Sequence, residues 1–120
     1  LRIIIVDDNP EIRTLVRKLL SDLAEDIEDV ADGLSALNQA DRRRPDWMVV
    51  DLVMPGMDGF AVTAWTKSHH PAVRVVVMTQ YGNPHLRDLA IQAGADAFVP
   101  KEDLLQLREL ILKPLQPTDP

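Results

Sequence analysis

Val73-Arg74-Val75-Val76-Val77-Met78-Thr79 is a run of β-branched and apolar residues that barely alternates with polar ones and closes on a hydroxyl. A strand with one wet face alternates apolar and polar side chains, so a continuous run belongs to a strand covered on both faces. Helices supply that cover in parallel sheets, and the stretch therefore predicts a central strand of an α/β sandwich. Three more runs have the same form. Ile3-Ile4-Ile5-Val6 ends in Asp7-Asp8, Trp47-Met48-Val49-Val50 in Asp51, and Ala97-Phe98-Val99-Pro100 in Lys101. If all four are parallel strands, carboxylates, a hydroxyl and an ammonium gather at one sheet edge. Such groups at strand C-termini describe a site for a divalent cation and a phosphoryl group.

The segments between these runs read as helices. Asn9-Pro10-Glu11 offers a side-chain cap, a proline at the first helical position and an acid in the first turn. Ile12, Leu15, Val16, Leu19, Leu20 and Leu23 follow at helical spacing and predict one buried stripe. Ile27 to Ala31 is a short, partly acidic strand, favoured by its position. Asp32-Gly33 starts a second helix with Leu34, Leu37 and Ala40 on one face, stopped by Pro45. Pro55-Gly56-Met57-Asp58-Gly59 is turn chemistry leading to a third helix with Phe60, Ala64 and Trp65, closed by Pro71. Tyr81-Gly82-Asn83-Pro84 opens a fourth, through Leu86, Leu89 and Ala90 to a stop at Gly94. A leucine-rich fifth helix spans about 102–112.

Strictly alternating βα units imply a parallel sheet with right-handed crossovers. Among doubly wound orders, the flavodoxin-like 2-1-3-4-5 suits five strands and puts the topological switch between the first and third, beside Asp7, Asp8 and Asp51. One domain over residues 1–113 is expected, with 114–120 as a tail or the start of a linker.

Composition narrows the function. The 120 residues suffice for one full core and are too few for two ordinary domains. No apolar run approaches the roughly 20 residues of a spanning helix, and no secretory signal is evident, so a cytoplasmic protein without membrane contact is expected. With no cysteine, thiolate metal sites and cysteine nucleophiles are excluded. A net charge of −6 argues against direct nucleic-acid binding, which needs clustered positive charge. Arg42-Arg43-Arg44 reads as cations favoured at a helix C-terminus.

Three clustered carboxylates repel one another by about 1–4 kcal/mol per pair. A divalent cation removes that penalty, and carboxylates, a carbonyl and waters suit Mg²⁺. With these residues in place, the chain resembles the receiver domain of a bacterial two-component response regulator, over essentially its whole length. The resemblance implies that Asp51 is the phosphoacceptor, attacking a phosphohistidine or a small acyl phosphate. It makes Asp8, Asp51 and the backbone carbonyl of Val53 direct Mg²⁺ ligands, with Asp7 helping through water. Lys101 is the second cation, and Thr79 the hydroxyl that meets the new phosphoryl oxygen. Phe98 is the aromatic that swings inward with Thr79. Met54-Pro55-Gly56 and Gly59 match the turn after the acceptor.

The implied role is a phosphorelay signalling switch, not a turnover enzyme. Its partners would be a sensor histidine kinase or phosphotransfer protein, and an output domain, protein partner or second copy meeting the surface of the fourth helix, fifth strand and fifth helix. Three departures from the family pattern stand out. Gln80 replaces a small residue after Thr79, Glu102 replaces the proline that often follows Lys101, and Leu107 and Ile111 fall where winged-helix regulators carry charged dimer contacts. A dehalogenase-type hydrolase would need a second aspartate where Val53 stands. A flavodoxin-like electron carrier would need a glycine- and hydroxyl-rich loop in place of Asp7-Asp8-Asn9-Pro10. A receiver-like module that is never phosphorylated would not need the intact Asp51, Thr79 and Lys101. His69-His70 is expected to be a solvated pair at the end of the third helix.

Overall fold

β1 (Arg2–Val6) and β3 (Trp47–Asp51) are buried at every position, as aliphatic runs without alternation require. In this computed structural model, which describes residues 1–80 and 83–113, they are neighbours in a five-stranded parallel sheet of order β2-β1-β3-β4-β5. β2 spans Asp26–Val30, β4 Arg74–Thr79 and β5 Ala97–Pro100. The helices are α1 (Pro10–Leu20), α2 (Gly33–Arg42), α3 (Gly59–His69), α4 (Pro84–Gln92) and α5 (Gln106–Leu112). This is the flavodoxin-like α/β sandwich expected from the sequence. Tyr81, Gly82 and the expected tail at 114–120 lie outside the described residues.

The alternation of side chains along each strand divides the core into two layers. Ile4, Val6, Met48, Val50, Val75 and Val77 pack with Ala36, Leu37, Val62 and Ala90 from α2, α3 and α4. Ile3, Ile5, Val49, Val76 and Met78 pack with Val16, Leu20 and Leu107 from α1 and α5. Each aliphatic side chain fully buried in this way contributes roughly 1.5–3 kcal/mol.

Helix starts match their sequence signals. Asn9 Oδ1 accepts from Glu11 N at 2.9 Å and Asn83 Oδ1 from His85 N at 2.8 Å, each followed by proline at the first position. Asp32 and Asp58 cap α2 and α3 by accepting from Ser35 N and Ala61 N.

The buried faces are narrower than the apolar patterns suggest. Leu15 and Leu34, expected on buried stripes, are 45% and 62% exposed, and Ala64 is exposed as well. A helix lying on a flat sheet buries only one stripe, so an apolar residue at its margin stays wet. On α3 the burial falls on Gly59, Val62, Thr63 and Thr66. Thr63 donates to Gly59 O at 2.7 Å and Thr66 to Met48 Sδ at 3.7 Å, which lets these hydroxyls be buried. The fifth helix is shorter than expected, because Lys101–Asp103 forms a 3₁₀ turn before α5. Leu107 is fully buried and Ile111 half-buried, so both serve the core. Arg43, at the end of α2, pairs with Asp26 at 2.7 Å.

Candidate functional site

The C-terminal ends of β1, β3, β4 and β5 share one edge of the sheet, which brings Asp7, Asp8, Asp51, Thr79 and Lys101 together. A cleft of ≈ 280 Å³ opens there, lined by Asp8, Asn9, Asp51, Val53, Thr79, Gln80 and Lys101. Asp7 lies beneath it, fully buried, while Asp8 is exposed at its rim. Oxygens of Asp7, Asp8 and Asp51 all lie within 4.8 Å of one another.

Among the described residues, Lys101 is the cation that forms ion pairs with these carboxylates. Its Nζ is 2.8 Å from Asp7 Oδ2 and 3.2 Å from Asp51 Oδ1. The approach to Asp7 is outside hydrogen-bonding geometry, so the buried Oδ2 has a charge partner and no hydrogen-bond donor. One ammonium against three carboxylates leaves the cluster short of positive charge. Burial and then the neighbouring Asp7 push the Asp51 carboxyl above its ordinary pKa, and the pull of Lys101 and a hydrogen bond from the Val53 backbone only partly offset them. Burial opposes the charged form of Lys101, yet its contacts with Asp7 and Asp51 hold its pKa above the ordinary value. An under-neutralised set of oxygen donors with an unsatisfied buried carboxylate oxygen fits a hard divalent cation.

Local geometry fixes the cleft. Leu52 N donates to Met78 O at 2.8 Å and Gly59 N to Leu52 O at 2.9 Å, tying the turn after Asp51 to β4 and α3. A Cβ on Gly59 would lie 2.4 Å from Asp51 O and 2.7 Å from Leu52 Cα, so only glycine lets α3 start there. Gly56 takes φ +76° within the turn, a conformation glycine adopts without strain.

On the other side, Asn9 N donates to Asp7 Oδ1 at 2.8 Å. Arg13, from α1, donates to Asp7 O at 2.7 Å and to Asp29 Oδ2 at 3.0 Å. Neither Asn9 as a cleft residue nor Arg13 was legible as part of the site, because a cap and a helix-surface arginine give no sequence signal of that role.

Phe98 lies outside the cleft. It is half-buried, opposite Val77 in register, and lines a separate hollow of ≈ 460 Å³ with Asn83, Pro84, Arg87 and Pro100. Thr79, two residues beyond Val77 and so on the same sheet face, is buried and faces Pro100 in register. His69 and His70 are far from these residues in role. The His69 ring stacks on Trp65, and His70 Nε2 lies 2.9 Å from Asp41 Oδ1, joining the end of α3 to α2.

Known proteins place this arrangement. Residues 3–112 match the family described as the response regulator receiver domain. The chain is 33% identical to the response regulator MprA of Mycobacterium leprae over 99% of its own length and 54% of that protein, so it spans about half of the curated relatives it matches. Its fold is similar to the receiver domain of NtrX from Brucella abortus, with 33% identity and a TM-score of 0.81 over 92% of this chain and 97% of that one. It is also similar to the chemotaxis protein CheY4 of Vibrio cholerae, with 27% identity and a TM-score of 0.82 over 92% and 98% of the two chains. No helix among the described residues is long and apolar enough to cross a membrane. With the carboxylate cluster at the β1–β3 switch and a family match over nearly its whole length, the chain belongs to the response regulator receiver domains, which are phosphoacceptor signalling modules of two-component systems.

Proposed function

We propose that Asp51 is the phosphoacceptor of this domain and that its phosphorylation changes the surface formed by α4, β5 and α5. The observation that carries the reading is the position of Asp51, which shares an under-neutralised carboxylate cluster with Asp7 and Asp8 and touches Lys101. A carboxylate oxygen of Asp51 attacks the phosphorus of a phosphohistidine, an oxygen–phosphorus bond forms, and the nitrogen–phosphorus bond breaks with the imidazole taking up a proton. Asp8, Asp51 and the Val53 carbonyl would hold Mg²⁺, with Asp7 assisting through water. The ion supplies charge neutralisation for the incoming phosphoryl group.

This chain's own groups supply the rest. Lys101 meets a phosphoryl oxygen with its ammonium, and the Thr79 hydroxyl donates to another. The position of Phe98, outside the cleft beside its own hollow and on the strand next to Thr79, supports a switch in which Thr79 is drawn toward the phosphoryl group and Phe98 turns into the space it leaves. Gln80, exposed at the cleft, bears on the lifetime of the acyl phosphate. The reading entails a cytoplasmic location for this domain and a cognate sensor histidine kinase or phosphotransfer protein as donor. It also entails an output domain, a protein partner or a second copy as receiver of the change.

Incubation with acetyl phosphate and Mg²⁺ should add one phosphoryl group by intact mass, and none without the divalent cation. Asp51→Asn should abolish the addition. Labelling of that variant at the parent level would remove Asp51 from the role.

A further inference from the structure

Asp7 is wholly buried, and its main-chain carbonyl emerges where β1 hands over to the turn that carries Asp8. A buried carbonyl needs a donor. Among the described residues that donor is Arg13, whose guanidinium reaches back from α1 to Asp7 O at 2.7 Å. The same side chain donates from Nε to Asp29 Oδ2 at 3.0 Å on β2. Arg17 holds the other oxygen of Asp29 at 2.5 Å and makes no contact with Asp7. The Arg13 side chain is 19% exposed, so its fork is fixed between two partners instead of ranging through solvent. Asp7 N adds a 3.2 Å bond to Val30 O, so the start of the turn is held to β2 along both its backbone and this arginine.

We propose that Arg13 is a positioning residue for divalent-cation binding, pinning the Asp7–Asn9 turn so that the Asp8 carboxylate meets Asp51. This rests on the reading of Asp8 and Asp51 as Mg²⁺ ligands. Two physical accounts of Arg13 predict opposite signs. As a mere nearby cation it repels Mg²⁺, and its removal tightens binding. As a positioning residue it orders ligands, and its removal weakens binding even though a positive charge has gone.

Calorimetric titration of the full chain with Mg²⁺ separates them. Arg13→Met should weaken Mg²⁺ binding by about 10-fold, the lower end for loss of an outer contact that orients a ligand. Arg13→Lys keeps the charge but cannot span both partners, and it should fall between the parent and Arg13→Met. It also carries the test if the methionine variant fails to fold. Arg17→Met removes a cation from Asp29 without touching Asp7 and should bind Mg²⁺ as the parent does. In phosphorylation by acetyl phosphate, the Mg²⁺ concentration for half-maximal rate should rise in Arg13→Met while the rate at saturating Mg²⁺ stays near that of the parent. Parent-like or tighter binding by Arg13→Met, or an equal loss in Arg17→Met, overturns the proposal and leaves the metal reading standing. A parent that binds Mg²⁺ no better than Asp8→Ala overturns both.

Discussion

Asp51 is costly to the fold that carries it. Its carboxyl is driven above the ordinary pKa by burial first and by Asp7 second, with Lys101 too weak to reverse the effect. An acid whose native pKa exceeds its unfolded value binds more protons in the folded state. Stability therefore falls as pH rises from the unfolded value of 3.8 through the raised native one, and remains lowered at neutral pH. Asp51→Asn cannot ionise. In the absence of divalent cations at pH 7 it should be more stable than the parent by about 1 kcal/mol, the scale of one carboxylate repulsion. Urea unfolding measures the difference, and millimolar Mg²⁺ should then stabilise the parent while leaving the variant unmoved. A variant less stable than the parent without Mg²⁺ would mean that the contact with Lys101 outweighs burial. At this scale much of the site was readable, since Asp7, Asp8, Asp51, Thr79 and Lys101 each follow a strand-forming run and strand ends converge in a parallel sheet. Arg13 was not, because its partners Asp7, just after β1, and Asp29, in β2, lie far apart in the chain and nothing in local spacing joins them.

At the scale of elements, the junctions decide how well the site is held. The start of α3 presses so closely on β3 that a Cβ at Gly59 would strike Asp51 O and Leu52 Cα, both backbone atoms with little room to yield. Gly59→Ala should cost about 1–3 kcal/mol, the range for overpacking a tight contact, and it should also slow phosphorylation of Asp51 by moving its carbonyl turn. Gly56→Ala meets no neighbour but forces φ +76° on a residue with a Cβ, so its effect should stay with the turn. The α1–β2 junction is instead electrostatic. Arg17 first and Arg13 after it hold the Asp29 carboxyl below its ordinary range against the cost of burial. A depressed acid stabilises the fold above its unfolded value of 3.8, and the contribution is lost as pH falls from there through the lower native value. Asp29→Asn should thus unfold with a shallower loss of stability below pH 4 than the parent, followed by thermal melts across that window; parallel curves would deny the pair any role. Element order was legible from the runs and caps, and so was the middle of the buried faces of α1 and α2, but not their margins. Leu15 and Leu34 have the spacing of core residues and lie at the margins of their helices, where only the width of the sheet decides what is covered.

Across the whole molecule, the proposed switch requires a change at Asp51 to reach the surface of α4, β5 and α5. β4 and β5 link the two regions directly. Thr79 stands in register with Pro100 and Val77 with Phe98, so on the proposed reading movement of the Thr79 hydroxyl toward a phosphoryl group would act on the strand that carries Phe98. The hollow beside Phe98 is bounded by Asn83, Pro84 and Arg87 at the start of α4 and by Gln106 of α5, and would give the proposed rearrangement its space. Leu89 and Ile91 on α4 and Leu105 just before α5 are exposed apolar side chains on these elements. Complete switching from 1:99 to 99:1 takes about 5.5 kcal/mol of differential stabilisation. A phosphoryl group with charge-assisted hydrogen bonds from Lys101 and Thr79 can supply energy of that order. Addition of beryllofluoride with Mg²⁺, a stable stand-in for the phosphoryl group, should therefore alter amide exchange beyond the site, most strongly from Asn83 through α4, β5 and α5. The Asp51→Asn variant should show no such change. If exchange altered only near Asp7, Asp8 and Asp51 while α4 and α5 kept their protection, ligand binding would be local, and the coupling of Thr79 to Phe98 through β4 and β5 would have to be abandoned.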